Sequence, residues 1–164
     1  MHEPVGPAWL VWLELSRVAM AMRQSAWGYP IVEIVHIAGF TVLVGAAAMF
    51  DLRLLGVSRR LPVSDVAGYL LPWARAALVL IVPSGALMFI AHATEMASNP
   101  AFRLKLLCLA AAGLNVALFH LGPYKTVGAW NRLVPAPRRA KTAAILSLVL
   151  WAAVITCGRL IAYL

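Results

Sequence analysis

Residues 29–50 read YPIVEIVHIAGFTVLVGAAAMF, a run apolar enough to enter lipid that nevertheless carries Glu33 and His36. Three residues apart, a carboxylate and an imidazole share one face of a helix. Ionisable groups inside a membrane are rare, and they normally face a bundle interior where they meet ligands, ions or protons. His36 is the sharpest candidate. Gly39 follows three residues on, then Gly45, Ala46, Ala47 and Ala48, and small residues let a helix or a flat cofactor approach closely. Imidazole is a common axial ligand of haem iron, so His36 can serve as a metal ligand or proton carrier. It can equally hydrogen-bond across a bundle to hold two helices. Glu33 can orient the imidazole through its second nitrogen, or pair with Lys105 or Arg159. The ion pair is the favoured reading, because an unpaired carboxylate at that depth is costly.

The remaining candidates are spread along the chain. His92 is a candidate second metal ligand beside His36, or else an interfacial histidine wetted by water. Lys105 is too deep for a loop charge, although lysines snorkel. With Arg103 it could neutralise haem propionates, or it could act as a ligand itself. Pro83-Ser84-Gly85 reads as a kink that exposes a surface of small residues, suited to a cofactor cavity or to tight packing. His120 is about 22 Å from Lys105 along a helix axis, so it shares no metal with His36; it reads as a cap or a loop contact with Asp51 or Arg53, with a separate cytoplasmic site as the alternative. Asn115 is five residues from His120 and does not stack on it. Cys108 and Cys157 read as two buried thiols, with a copper site as the outside alternative. His2 carries little information.

These groups need elements to hold them. A membrane-crossing helix takes about 20 mostly apolar residues, and four stretches qualify, roughly 30–50, 70–92, 101–122 and 142–163. Ser64 and Asp65 are placed to cap the second, and Asn99-Pro100 to open the third. In lipid the backbone must satisfy itself, so these are helices. Between Pro7 and Gln24, Trp9, Trp12, Leu13 and Val18 alternate with Glu14, Arg17, Arg23 and Gln24. That pattern predicts an amphipathic helix lying in the membrane interface; the alternative, compatible with it, is a helix that packs on the bundle as an ordinary cover. The expected organisation is all-α, with an interfacial helix over residues 1–28 and a four-helix membrane bundle over 29–164.

Composition agrees. The 164 residues are 63% hydrophobic and 12% charged, against roughly 45–50% and 25% for a soluble domain. The net charge of +8 reflects arginines and lysines at span ends rather than nucleic-acid binding. Arg53, Arg59 and Arg60 in the first loop, and Lys125, Arg132, Arg138, Arg139 and Lys141 in the third, place both loops in the cytoplasm. Both termini then lie outside, periplasmic in a bacterial inner membrane. The N-terminal stretch does not read as a signal peptide. The two cysteines form no CxxC pair, which argues against zinc or iron–sulfur ligation by thiolates. No hydrolase motif or phosphate-cradling glycine loop is present, so soluble nucleotide chemistry is improbable.

HIAG from His36, DLRLLG from Asp51, PAFRLK from Pro100 and AGLNVALFH from Ala112 resemble a family of small bacterial four-helix membrane proteins of unassigned function, over about residues 30–122. More distantly, the layout is similar to copper-resistance D-type membrane domains and to membrane protoporphyrinogen oxidases. In those oxidases a histidine of an early helix and a lysine opening a later one are tied to a b-type haem. His36 and Lys105 match that pattern; the oxidases' arginine- and tyrosine-rich segment is not evident. The resemblance implies a b-type haem at His36 and Lys105. Taken with the residues above, the expectation is haem b near the outer face, with His36 and His92 as axial ligands, Lys105 in reserve, and Glu33, Gly39 and Arg103 around them. The expected role is one-electron transfer, as a membrane anchor between a periplasmic or membrane protein partner and quinone, at most an electron-transfer subunit of an oxidoreductase. A cofactor-free accessory subunit of a larger membrane complex and a copper-handling protein are the alternatives.

Overall fold

The computed structural model describes residues 5–163, which are helical with no strand. His2 lies outside the described residues. Two short helices, α1 (Ala8–Glu14) and α2 (Arg17–Gln24), precede α3 (Gly28–Leu55), α4 (Val63–Ala91), α5 (Ala93–Ser98), α6 (Pro100–Leu121) and α7 (Arg138–Leu160). Helices α3, α4, α6 and α7 are each long and apolar enough to cross a membrane. The chain is therefore an all-α, multi-pass membrane protein. Large apolar side chains such as Ile34, Val79, Leu107 and Val149 point outward, as they do where lipid rather than water is the solvent.

The packing order is α4–α3–α7–α6. Helix α3 is central and lies along both α4 and α7, while α6 lies along α7. Helices α4 and α6 do not pack closely on each other; the stacked rings of Phe89 and Phe102, 5.5 Å apart and nearly parallel, bridge them at one end. The larger apolar core sits at the opposite end, where Phe50, Leu54, Val63, Phe119 and Trp130 are buried together. A smaller cluster around Ala112, Trp151 and Val154 fills the middle.

The ends of the spans differ from the sequence expectation in instructive ways. Asn99 does cap α6, accepting from the amides of Ala101 (2.9 Å) and Phe102 (3.2 Å), with Pro100 in the first turn. Ser64 and Asp65 do not cap α4, which begins earlier, at Val63. The Ser64 amide donates instead to the side-chain oxygen of Asn131, 2.9 Å away, and the Val63 amide to the Asn131 carbonyl. The cap thus arrives from the α6–α7 connection. At its 29 residues, α4 is about 43 Å long, longer than the roughly 30 Å hydrocarbon layer. Gly56, at φ +115°, closes α3 in the left-handed conformation that glycine takes without strain.

The N-terminal segment is not one helix. It breaks at Leu15–Ser16, where Ser16 turns to cap α2 by accepting from the Ala19 amide. Both pieces lie across the end of the bundle that carries α5. The Glu14 carboxylate accepts from the amide (2.9 Å) and hydroxyl (2.7 Å) of Thr94. Arg23 donates to the carbonyls of Ala91 (2.6 Å) and Glu14 (2.8 Å), tying α2 to the end of α4.

Candidate functional site

His36 leans on the part of α4 that carries Pro83, which supplies no amide proton to the helix; Ser84 beside it is buried. His36 Nδ1 lies within hydrogen-bond distance of Ser84 Oγ, at 3.0 Å. Ser84 is buried and donates its own proton to the Leu80 carbonyl, with the Ile81 carbonyl 3.2 Å away. A hydroxyl has one proton. With that proton committed to the backbone, Ser84 Oγ accepts from the imidazole, which fixes the neutral tautomer with its lone pair on Nε2. A ring held in this way is presented for a metal or a proton. Gly85 makes the approach possible: a Cβ there would stand 3.0 Å from His36 Cε1.

Two further helices converge on the same level. Lys105 of α6 is half-buried. It lies against α7, where a Cβ on Gly158 would be 3.7 Å from its Nζ and Cys157, the preceding residue, is buried. Each of the four spans therefore contributes: His36, Ser84-Gly85, Lys105 and Cys157-Gly158. Phe102 lies one turn from Lys105 and Phe89 one turn from Gly85, on matching faces, so the stacked Phe89–Phe102 pair roofs this level between α4 and α6.

Several expected members are elsewhere. His92 caps the junction of α4 and α5, with its ring edge-on to Tyr29 at 5.7 Å and its Nδ1 3.8 Å from a Glu95 carboxylate oxygen. It stands level with Tyr29, seven residues and about 10 Å along α3 from His36. No contact joins His92 to His36 among the described residues. Its side chain is 39% exposed. Glu33 points outward. Among the described residues no ion pair joins it to Lys105 or Arg159, and Arg159 donates instead to the Tyr163 hydroxyl at 2.7 Å. The group that orients the imidazole is Ser84. Gly39 is a packing glycine: a Cβ there would meet Ile81 at 3.0 Å and Leu80 at 3.2 Å. Arg103 is exposed and donates to the Ala97 carbonyl at 2.8 Å, closing α5. His120 bonds its own helix at Val116, not Asp51 or Arg53, and packs on Tyr124.

One group went unread in the sequence. Asp51, near the far end of α3, is buried, and its Oδ2 has no hydrogen-bond partner. Ser147 is the polar neighbour nearest to it. Nothing in the spacing of DLRLLG sets this aspartate apart from a loop charge. Among the described residues no three of His, Cys, Asp and Glu converge as a metal-holding group, and both cysteines are free thiols. Grooves open on the surface in two places relevant here. One, of about 200 Å³, is apolar and follows the outer side of α4 at Pro83. The other, of about 450 Å³, lies between α6 and α7 at the end of the bundle away from α5.

The chain belongs to a family of unknown function (DUF6644), which it matches over residues 12–164. No curated protein and no solved structure matches it.

Proposed function

We propose that this protein binds b-type haem within the membrane and transfers single electrons, with His36 as an axial ligand and Lys105 as the group facing it. The observation that carries this reading is the Ser84–His36 hydrogen bond, which leaves Nε2 with a free lone pair at a level where four helices meet. An imidazole so held needs only iron to complete it, and haem, unlike a bare copper ion, brings four ligands of its own. Among the described residues no three of His, Cys, Asp and Glu converge, and haem asks for fewer ligands from the protein than a bare ion does. Helices α4 and α6 stand apart beside the site, leaving a route for a flat molecule between them. The likeness of His36 and Lys105 to the haem-linked pattern of the membrane protoporphyrinogen oxidases points the same way. When bound, the haem would supply one-electron chemistry, with its potential set by axial ligation and burial. His36 would hold the iron, Ser84 would fix the ring and raise its basicity, Lys105 would offset negative charge, and the Phe89–Phe102 pair would exclude water. In this reading the site faces the periplasmic side of a bacterial inner membrane, and the protein passes electrons between a membrane or periplasmic partner and quinone.

The experiment is a visible spectrum of the purified protein, before and after haemin titration and reduction. The expected result is a Soret band that shifts on reduction. His36→Ala should lose the band while keeping its helical circular dichroism, and Ser84→Ala should weaken haem affinity about 10–100-fold, as loss of a ligand-orienting group does. An unchanged haem spectrum in His36→Ala would refute the ligand assignment. Copper by elemental analysis with no Soret band would identify copper handling instead. A cofactor-free accessory subunit is favoured by a separate observation: Glu33 and Arg75 are outward-facing charges on membrane-spanning helices with no ion-pair partner among the described residues. A larger complex would supply those partners. Neither haem nor copper, together with a stable co-purifying membrane protein, would establish that reading.

A further inference from the structure

Downstream of Glu95 the chain contains no aspartate or glutamate, yet it carries Arg103, Lys105, Lys125, Arg132, Arg138, Arg139, Lys141 and Arg159. Helices α6 and α7 and their connection thus have no acid of their own. Some of these charges are spent on structure: Arg103 bonds the end of α5, and Arg132 donates to the Arg60 carbonyl at 3.1 Å. Arg138 and Arg139 are not. Both are exposed, and among the described residues neither guanidinium makes a hydrogen bond or ion pair. They stand at the mouth of the groove of about 450 Å³ between α6 and α7, a volume within the roughly 300–1,000 Å³ range of ligand sites. Below them the walls are apolar, formed by Leu118, Phe119 and Leu146, with Asn115 and Thr142 as the polar residues inside. Asn115 has already committed its amide to the Ala143 carbonyl, at 2.9 Å.

We infer that this groove binds an anionic phospholipid, with its phosphate between Arg138 and Arg139 and an acyl chain along Leu118 and Leu146. Three features select that occupant over a soluble anion or a protein. The groove runs down the faces of two membrane-spanning helices, so its lower part meets acyl chains. Two unpaired guanidiniums face outward at its upper end, where planar forks match phosphate oxygens. No carboxylate on α6, on α7 or between them competes with an incoming anion. Basic pockets between transmembrane helices recognise acidic headgroups on this principle. The site is separate from the one around His36 and does not rest on haem.

The test is native mass spectrometry of the full chain, released from vesicles of phosphatidylcholine with one fifth phosphatidylglycerol. Wild type should retain phosphatidylglycerol in preference to phosphatidylcholine. Arg138→Gln/Arg139→Gln should bind it about 30-fold more weakly, the loss expected for two basic residues at an anionic surface. Arg59→Gln/Arg60→Gln removes the same charge from another loop and should retain the lipid. Leu146→Trp fills the groove while sparing both arginines, and should lose it. Millimolar inorganic phosphate should not displace it. Retention by the Arg138/Arg139 variant, equal loss in the Arg59/Arg60 variant, full retention in Leu146→Trp, or displacement by phosphate would each overturn the inference.

Discussion

A single hydroxyl decides what His36 can do. Ser84 gives its proton to the backbone of α4 and so receives the imidazole proton, and the tautomer follows from that. The neighbouring glycines act by what they lack. At Gly39 a Cβ would stand 3.0 Å from Ile81 and 3.2 Å from Leu80, whereas at Gly45 nothing lies within 4 Å. Gly39→Val should therefore push α3 off α4 and cost about 1–3 kcal/mol. Gly45→Ala should be neutral or stabilising by up to about 1 kcal/mol, through helix propensity. Thermal unfolding in detergent, read by circular dichroism, checks the pair. Equal destabilisation by both would mean that the α3–α4 contact does not depend on Gly39.

The N-terminal cover is the element with the clearest electrostatic anchor. Partial burial pushes the Glu14 carboxyl upward, but the two Thr94 hydrogen bonds and the charge of Arg23 outweigh it, holding its pKa below the ordinary value of 4.5. A depressed carboxylate stabilises the folded state above its unfolded pKa, and loses that contribution as pH falls through the folded value. The cover should thus be held above pH about 4.5 and loosen progressively on further acidification. Amide protection across Ala8–Gln24, taken relative to the intrinsic exchange rate at each pH, should fall below that pH. Glu14→Gln should exchange faster already at neutral pH and show a flatter pH response. An identical acid response in that variant would assign the anchoring to other groups.

In the whole molecule, four spans follow an open order, and α4 and α6 leave a gap that one aromatic pair crosses. Phe102 and Lys105 share a face of α6, so the pair shields the lysine. Phe102→Ala should leave the fold intact and raise the labelling rate of Lys105 by a membrane-permeant amine reagent several-fold, relative to the loop residues Lys125 and Lys141. Peptide mass spectrometry reads all three lysines at once. No change at Lys105 would show that the gap is closed by something other than these rings.

Four long apolar runs were sufficient to specify an all-helical membrane bundle, because lipid leaves a spanning backbone no other way to satisfy its amides. The Asn99-Pro100 start of α6 was equally legible, since that cap is local. Whatever depends on a distant residue was not. Asn131 caps α4 across 67 positions, Ser84 orients His36 across 48, and Thr94 holds Glu14 across 80. Periodicity places a side chain on a face of its own helix but gives neither the rotation of the next helix nor its offset along the axis. His36 therefore stood out from the sequence as a buried imidazole in an apolar run. Only packing could remove His92 and Glu33 from its surroundings and bring in Ser84, Gly85 and Cys157.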